Sequence, residues 1–369
     1  MSGLARRSVL GGACALLALP ARAQRLTPAS QKIDPIPALP GSIEVRTVAA
    51  MPSYRLEQRV TGAIRIWGHG NRDLPWMRNL IDLWGQGFAQ YHPGTSIDYE
   101  MFGTSSGIPS LFNGTGDIAI LGEEILPDAA RAFEHYKGYP PTAIALMTGS
   151  YDVRNFDYAQ MVFVHRANPI ARLSLVELDA ILGAEHRRGA RNIRCWGELG
   201  LKGAWEKRAI VPYSWAIDDS FGFYLQQAVL GGSHHWNPAL REYVHITYPD
   251  GSIYDHGQQI LDALAKDPAG IAVSNIRYAG PMVKRLLLAV TPGGPYITAS
   301  KASLIDQSYP LARTLPAVID LPPDGRIAPR VREFLRYVLS REGQELVNRD
   351  GRYLPLSPTF AARQARILT

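Results

Sequence analysis

The sequence predicts an α/β protein of two lobes, and three observations carry that expectation. Apolar strands alternate with helical segments from Ala63 to Leu121, Gly-rich turns join them, and a second strand and helix series follows from Ala159. A length of 369 residues exceeds what one hydrophobic core ordinarily serves. With 46% hydrophobic and 20% charged residues the chain is globular.

The first 23 residues precede that fold. They carry Arg6-Arg7, an apolar run from Val9 to Leu19, Pro20, and then the small-x-small pattern Ala21-Arg22-Ala23. This predicts a signal peptide cleaved before Gln24 and export to the periplasm, with an apolar run too short to span a bilayer. Arg6 to Leu10 resembles a twin-arginine signal, and an ordinary Sec signal is the alternative. Cleavage removes three arginines and no acids, leaving 36 basic and 33 acidic side chains and a net charge of +3. Those charges are dispersed without a basic stripe, so no nucleic-acid partner is expected. Cys195 is then the only cysteine, expected to be a small buried hydrophobe.

Residues 24–60 hold Pro28, Pro35, Pro37, Pro40 and Pro52 and show no sustained period, which predicts a linker or an arm lying over the surface. Within it, Ile43 to Val48 and Tyr54 to Val60 could each pair as an edge strand. The folded part opens with a strand at Ala63 to Trp67, a turn at Gly68 to Asn71, and a helix entered at Pro75. Trp76, Leu80, Trp84 and Phe88 recur along one face of that helix. A strand at Ile97 to Phe102, a short helix at Ile108 to Phe112 and a strand at Asp117 to Leu121 follow. Strands alternating with helices argue a parallel sheet.

The second series opens with a strand from Ala159 to His165. Ser174 and Glu177 stand at capping-box spacing and start a helix through Leu182. Ala209 to Val211 reads as a short strand. Asp218-Asp219-Ser220 precedes an amphipathic helix carrying Phe221, Tyr224, Leu225, Ala228 and Val229. Gln258 to Ala265 is helical, Gly270 to Val273 a buried strand, and Val331 to Val347 a terminal helical region.

Ile97 to Ile125 is the most informative stretch for function. Its strand, Gly/Ser/Thr loop, short helix and Gly-rich turn aim backbone N–H groups and hydroxyls into a cleft. The helix starts at Gly70-Asn71, Thr104-Ser105 and Asp219-Ser220 could supply donors to one small anion, although the same residue types also serve as plain caps. Gly103-Thr104-Ser105-Ser106-Gly107 also fits G-x-S-x-G between a strand and a helix. A serine hydrolase using Ser105 is therefore the rival reading. His234-His235 has no third ligand at fixed spacing and is a weak metal candidate, with a surface turn the favoured reading. His69 could reach a ligand at the first loop, and Trp215 is placed near one.

Several blocks resemble the PstS-like phosphate-binding proteins of ABC importers, within the type II periplasmic binding proteins. They are Gly68 to Asn71, Phe102 to Gly107, Asn113 to Ala119, Leu173-Ser174 with Glu177-Leu178, Trp196 to Gly200, Tyr309 to Arg313, and Phe334 with Leu339 to Gln344. The resemblance runs from about Ala63 to Leu356 in the family's order. It implies the two-lobe type II periplasmic binding protein fold with a ligand cleft between the lobes. Lobe 1 would comprise 61–149 plus 281–369, and lobe 2 residues 150–280. It implies no catalysis, no cofactor and no metal. The expected partners are a small polar solute such as phosphate and an inner-membrane ABC permease, and a monomer is expected. A non-transport partner protein that has lost phosphate binding is a further alternative.

The ligand contacts carried over are Gly70, Asn71, Thr104, Ser105, Gly122, Glu123, Asp218, Asp219 and Ser220. Where the family commonly shows an Arg and then Ser-Gly-Thr before the lobe 2 helix, this chain has Tyr213 and Ile217-Asp218-Asp219. Glu123, Glu124, Asp218 and Asp219 thus gather carboxylates with no arginine beside them in the sequence, an arrangement expected to repel a highly charged anion.

Overall fold

The computed structural model describes residues 35–70, 76–153 and 158–369. The expected signal peptide and Asn71 lie outside the described residues.

The N-terminal arm begins with helix α1 (Ile43–Ala49), capped by Ser42, whose hydroxyl accepts the Val45 N–H. The first lobe follows with β1 (Gly62–Gly68), α2 (Trp76–Ala89), β2 (Thr95–Glu100), α3 (Gly107–Phe112), β3 (Ile118–Ile120), α4 (Pro127–Lys137) and β4 (Thr142–Thr148). The second sheet begins at β5 (Met161–His165), and β6 (Arg172–Ser174) leads into α5 (Leu175–Leu182). Next come β7 (Val211–Trp215), α6 (Ser220–Ala228), β8 (Arg241–Tyr243), β9 (Ile246–Thr247), β10 (Ile253–Tyr254), α7 (His256–Leu264) and β11 (Gly270–Ser274). Then follow β12 (Val283–Arg285), β13 (Leu287–Ala289), α8 (Lys301–Ile305), β14 (Thr314–Ile319), α9 (Pro329–Val338), α10 (Arg341–Asp350) and α11 (Pro358–Ala365).

Two five-stranded sheets organise these elements, in the orders β2-β1-β3-β14-β4 and β12-β5-β11-β7-β8. Both are mixed, where strand and helix alternation had argued a parallel sheet. In the first, β1 runs parallel to β2 and β3, and β14 enters antiparallel between β3 and β4. In the second, β7 is parallel to β8 and β11, while β5 is antiparallel to β11 and β12. The expected strand at Ala209 begins later, because Ala209 only bridges to Cys195 and regular pairing starts at Val211.

Each sheet has its own core. Ile64, Ile66, Trp84, Phe88 and Phe334 are packed in one. Phe163, Leu178, Trp196, Trp215 and Ile271 are packed in the other. Tyr309 and Leu311 still belong to the second core, and the chain rejoins the first sheet at Thr314. The return expected at 281 thus falls just ahead of β12, a strand of the second sheet.

The arm departs from expectation in a way its side chains explain. Ile43 to Val48 is helical rather than an edge strand. Ile43 packs against the second core while Val48 and Met51 belong to the first. Glu44, only 4% exposed, accepts a 2.8 Å ion pair from Lys301 on α8. The arm enters beside α10, with the Ile36 and Ala38 N–H groups donating to Gly351 and Asn348 carbonyls. A β-branched sequence adopts a helix here because the helix lets opposite sides of one short segment meet two cores at once. Tyr54 to Val60 forms no strand either. It is held by the buried Tyr54 hydroxyl, which contacts His92 Nε2 at 2.8 Å and donates to Glu333.

Candidate functional site

In an open α/β sheet, ligand sites form beyond the carboxyl ends of the strands. At that edge of the first sheet lie the loops after β1, β2 and β3 together with the start of the antiparallel β14. At the corresponding edge of the second sheet lie the N-termini of α6 and α7, which follow β7 and precede β11.

The loop after β1 is pressed against β3. Gly68 has φ +120°, and a Cβ there would stand 2.3 Å from the Ile120 carbonyl oxygen, so the close approach requires glycine. His69 donates its backbone N–H to that same oxygen at 2.7 Å. Its ring bridges two loops, with Nε2 at 3.1 Å from the Tyr353 hydroxyl and Nδ1 at 3.4 Å from Thr104 Oγ1. Burial and the charge of Arg313 push the imidazole pKa down to about 3. The unfolded chain, titrating near 6.5, therefore takes up this proton first, and stability is lost as pH falls from about 6.5 toward 3. The His69 ring C–H resonances are expected to stay fixed between pH 8 and 5 in an NMR titration. Movement centred near 6.5 would show an open, solvated ring instead.

Thr104 is used within the loops, since its hydroxyl accepts the Gly122 N–H at 3.0 Å. Gly122 lies flat under His69, where a Cβ would come within 2.1 Å of the ring. Both are among the expected ligand contacts, and both lie against His69. Gly70 (φ +128°) turns against the Met101 side chain. Ser105 is exposed at the start of the turn leading into α3. Its hydroxyl bonds to no described side chain, so the G-x-S-x-G motif has no imidazole base on its serine among the described residues. Thr104, Ser105, Glu123 and Glu124 line a small cavity of about 20 Å³.

Across from these loops, Asp219 caps α6 by accepting the Phe221 N–H at 3.0 Å, and Ser220 donates its hydroxyl to the same oxygen at 3.3 Å. The other Asp219 oxygen is 3.9 Å from His256 Nδ1. Asp218 is exposed. Trp215 is fully buried with its ring 4.8 Å from Phe221, so it supports α6 from beneath rather than facing the cleft. Cys195 is half-buried, not buried, and its N–H donates to Glu198.

The decisive residue was absent from the expected contacts. Arg313, immediately before β14, has a side chain only 1% exposed. It donates from Nε and Nη2 to the two oxygens of Glu124 at 2.9 and 2.8 Å. Three rings surround the guanidinium: Tyr158 at 4.6 Å, Tyr224 at 5.1 Å and Phe221 at 5.5 Å, the last two from α6 of the opposite lobe. Such stacking suits arginine's flat, weakly hydrated cation. The acidic cluster thus has a cation at its centre, contrary to the expectation from sequence. Glu123 is half-buried. Burial raises its carboxyl above the usual range, Arg313 pulls it back, and Glu124 and Asp219 add to the rise.

One cluster outside this centre has metal-type ligands. His245, Asp255 and His256 bring ligand atoms within 4.8 Å of one another. The two imidazoles stack at 3.9 Å, and Arg277 stands 3.8 Å from Asp255, so a cation already faces that carboxylate. His235 pairs with Glu185 on the surface, as befits a turn. Among the described residues no helix is long and apolar enough to cross a membrane.

Two mixed α/β sheets that meet where Arg313 of one side packs against α6 of the other have the fold of a type II periplasmic binding protein. The chain is similar in sequence to PstS phosphate-binding proteins. It is 26% identical over 321 residues to the phosphate-binding protein PstS of Pseudomonas aeruginosa, in both strain PAO1 and strain UCBPP-PA14, covering 86% of this chain and 91% of those relatives. Among solved structures it is similar to PstS from Borrelia burgdorferi, with a TM-score of 0.52 and 15% identity over 80% of this chain and 99% of that one. No family model matches the chain. These relatives are named for PstS, a binding protein rather than an enzyme.

Proposed function

We propose that this chain is an exported solute-binding protein that closes its two lobes on a small oxyanion of the phosphate class and presents it to an ABC permease. The observation that carries the reading is Arg313: a buried guanidinium on one lobe, flanked by rings from the other, at the edge where both sheets aim their loops. A guanidinium fork is the side chain best matched to paired oxygens on one centre. Glu123, Asp219, Ser105 and Ser220 complete the proposed contacts. A carboxyl raised above its usual range can accept or share a proton with a protonated oxyanion, which favours monohydrogen phosphate over an anion without a proton. Homology to phosphate-binding proteins points the same way.

Titration calorimetry and thermal unfolding with inorganic phosphate test this. Saturable heat and a rise in Tm are expected, since ligand at a hundred times Kd stabilises by about 2.7 kcal/mol. Neither heat nor a shift at millimolar phosphate would discard the phosphate reading.

A further inference from the structure

We infer that Glu124 is an internal stand-in for the ligand: its carboxylate occupies the Arg313 fork, and an incoming oxyanion takes its place. The inference rests on the oxyanion reading above and names what regulates that site.

Three observations support the exchange. The contact is two-pronged, Nε to one oxygen and Nη2 to the other at 2.9 and 2.8 Å, the arrangement two oxygens of a phosphate would adopt. The two partners differ in access, for Arg313 is 1% exposed and Glu124 25%, so the carboxylate sits on the solvent side of the cation it covers. Glu124 also lies in the short loop between β3 and α4, which Pro127 ends by starting the helix, so the side chain can turn toward water without moving a strand.

Charge balance requires the exchange. Glu124 is bonded to the one guanidinium, and Glu123 feels the charges of Arg313, Glu124 and Asp219 together, so a divalent anion entering with all three carboxylates in place would meet a net negative centre. Turning Glu124 out removes one of those charges and frees the fork in the same movement. The aromatic rings on Arg313 cannot substitute, because they satisfy its faces and not its N–H groups. A ligand that replaces Glu124 must present two oxygens about as far apart as those of a carboxylate. Phosphate, phosphonates and small carboxylates meet that condition, and a monatomic anion does not.

Calorimetry on the full protein with inorganic phosphate and formate tests the exchange. Glu124→Gln is expected to bind phosphate at least about tenfold tighter than the wild type at low salt. Glu124→Ala, which empties the fork, is expected to bind formate and to lose phosphate affinity competitively as formate is added, at formate concentrations at least about tenfold lower than those that weaken phosphate binding by the wild type. Phosphate binding by the wild type with equal or weaker binding by Glu124→Gln overturns the exchange and leaves the oxyanion reading standing. A tighter Glu124→Gln whose Glu124→Ala counterpart ignores formate reduces Glu124 to a distant repelling charge and likewise overturns it. Failure of wild type and both variants to bind phosphate discards the oxyanion reading itself.

Discussion

Arg313→Met is expected to lose phosphate binding by at least about a hundredfold and to destabilise the protein by about 3 kcal/mol. The side chain is 1% exposed and satisfies Glu124 through two bonds. Removing one partner of a buried pair typically costs 3–5 kcal/mol, because the other is left uncompensated. Glu124 is a quarter exposed and can turn to water, which places the figure at the low end. Arg313→Lys separates the two effects: it keeps the charge and most of the stability but lacks the planar fork, so binding should still fall. Denaturant unfolding and calorimetry on the two variants check this. An Arg313→Met protein within 1 kcal/mol of wild type that still binds phosphate would remove Arg313 from the centre of the site.

Trp84→Ala is expected to destabilise the protein by about 4 kcal/mol. Trp84 is fully buried on α2, and its indole N–H donates to the Gly343 carbonyl on α10 at 2.9 Å. Truncating a buried aromatic to alanine costs 3–5 kcal/mol through lost transfer energy and the cavity left behind, and here a carbonyl also loses its donor. Collapse cannot fill the gap cheaply. Gly343 is wedged so tightly that a Cβ would lie 2.3 Å from the Tyr337 carbonyl oxygen, which fixes α10 against the end of α9. Urea unfolding monitored by circular dichroism measures the effect, and a loss below 1.5 kcal/mol would mean that α2 and α10 repack freely.

Much of the fold was legible because local patterns and tertiary packing agree. The stripe at Leu80, Trp84 and Phe88 lies on the buried face of α2, and the Ser174 and Glu177 box caps α5 with both reciprocal bonds present. β14 was not legible. It carries Pro316 at a register shift, and its partners β3 and β4 lie far upstream in the sequence. The arm was misread for a related reason, because Ile43 to Val48 is β-branched and its helix is stabilised by Lys301 and by two distant cores. At the site, the carboxylates at 123, 124 and 219 stood out at once. The arginine that neutralises one of them did not, since Glu124 and Arg313 are joined by sheet topology and share no local motif.

That topology also sets an order in time. β14 fills the slot between β3 and β4, strands that precede it by the whole of the second sheet. As the chain emerges during synthesis, β3 and β4 present bare edges until residues 314–319 follow, whereas the segment from about 158 to 311 already contains every strand of its own sheet. The second sheet can therefore be completed before the first, whose β3 and β4 are joined only once the late strand is present. Arg313 immediately precedes that strand, so the cation beside Glu124 becomes available only after every strand of the second sheet has been made.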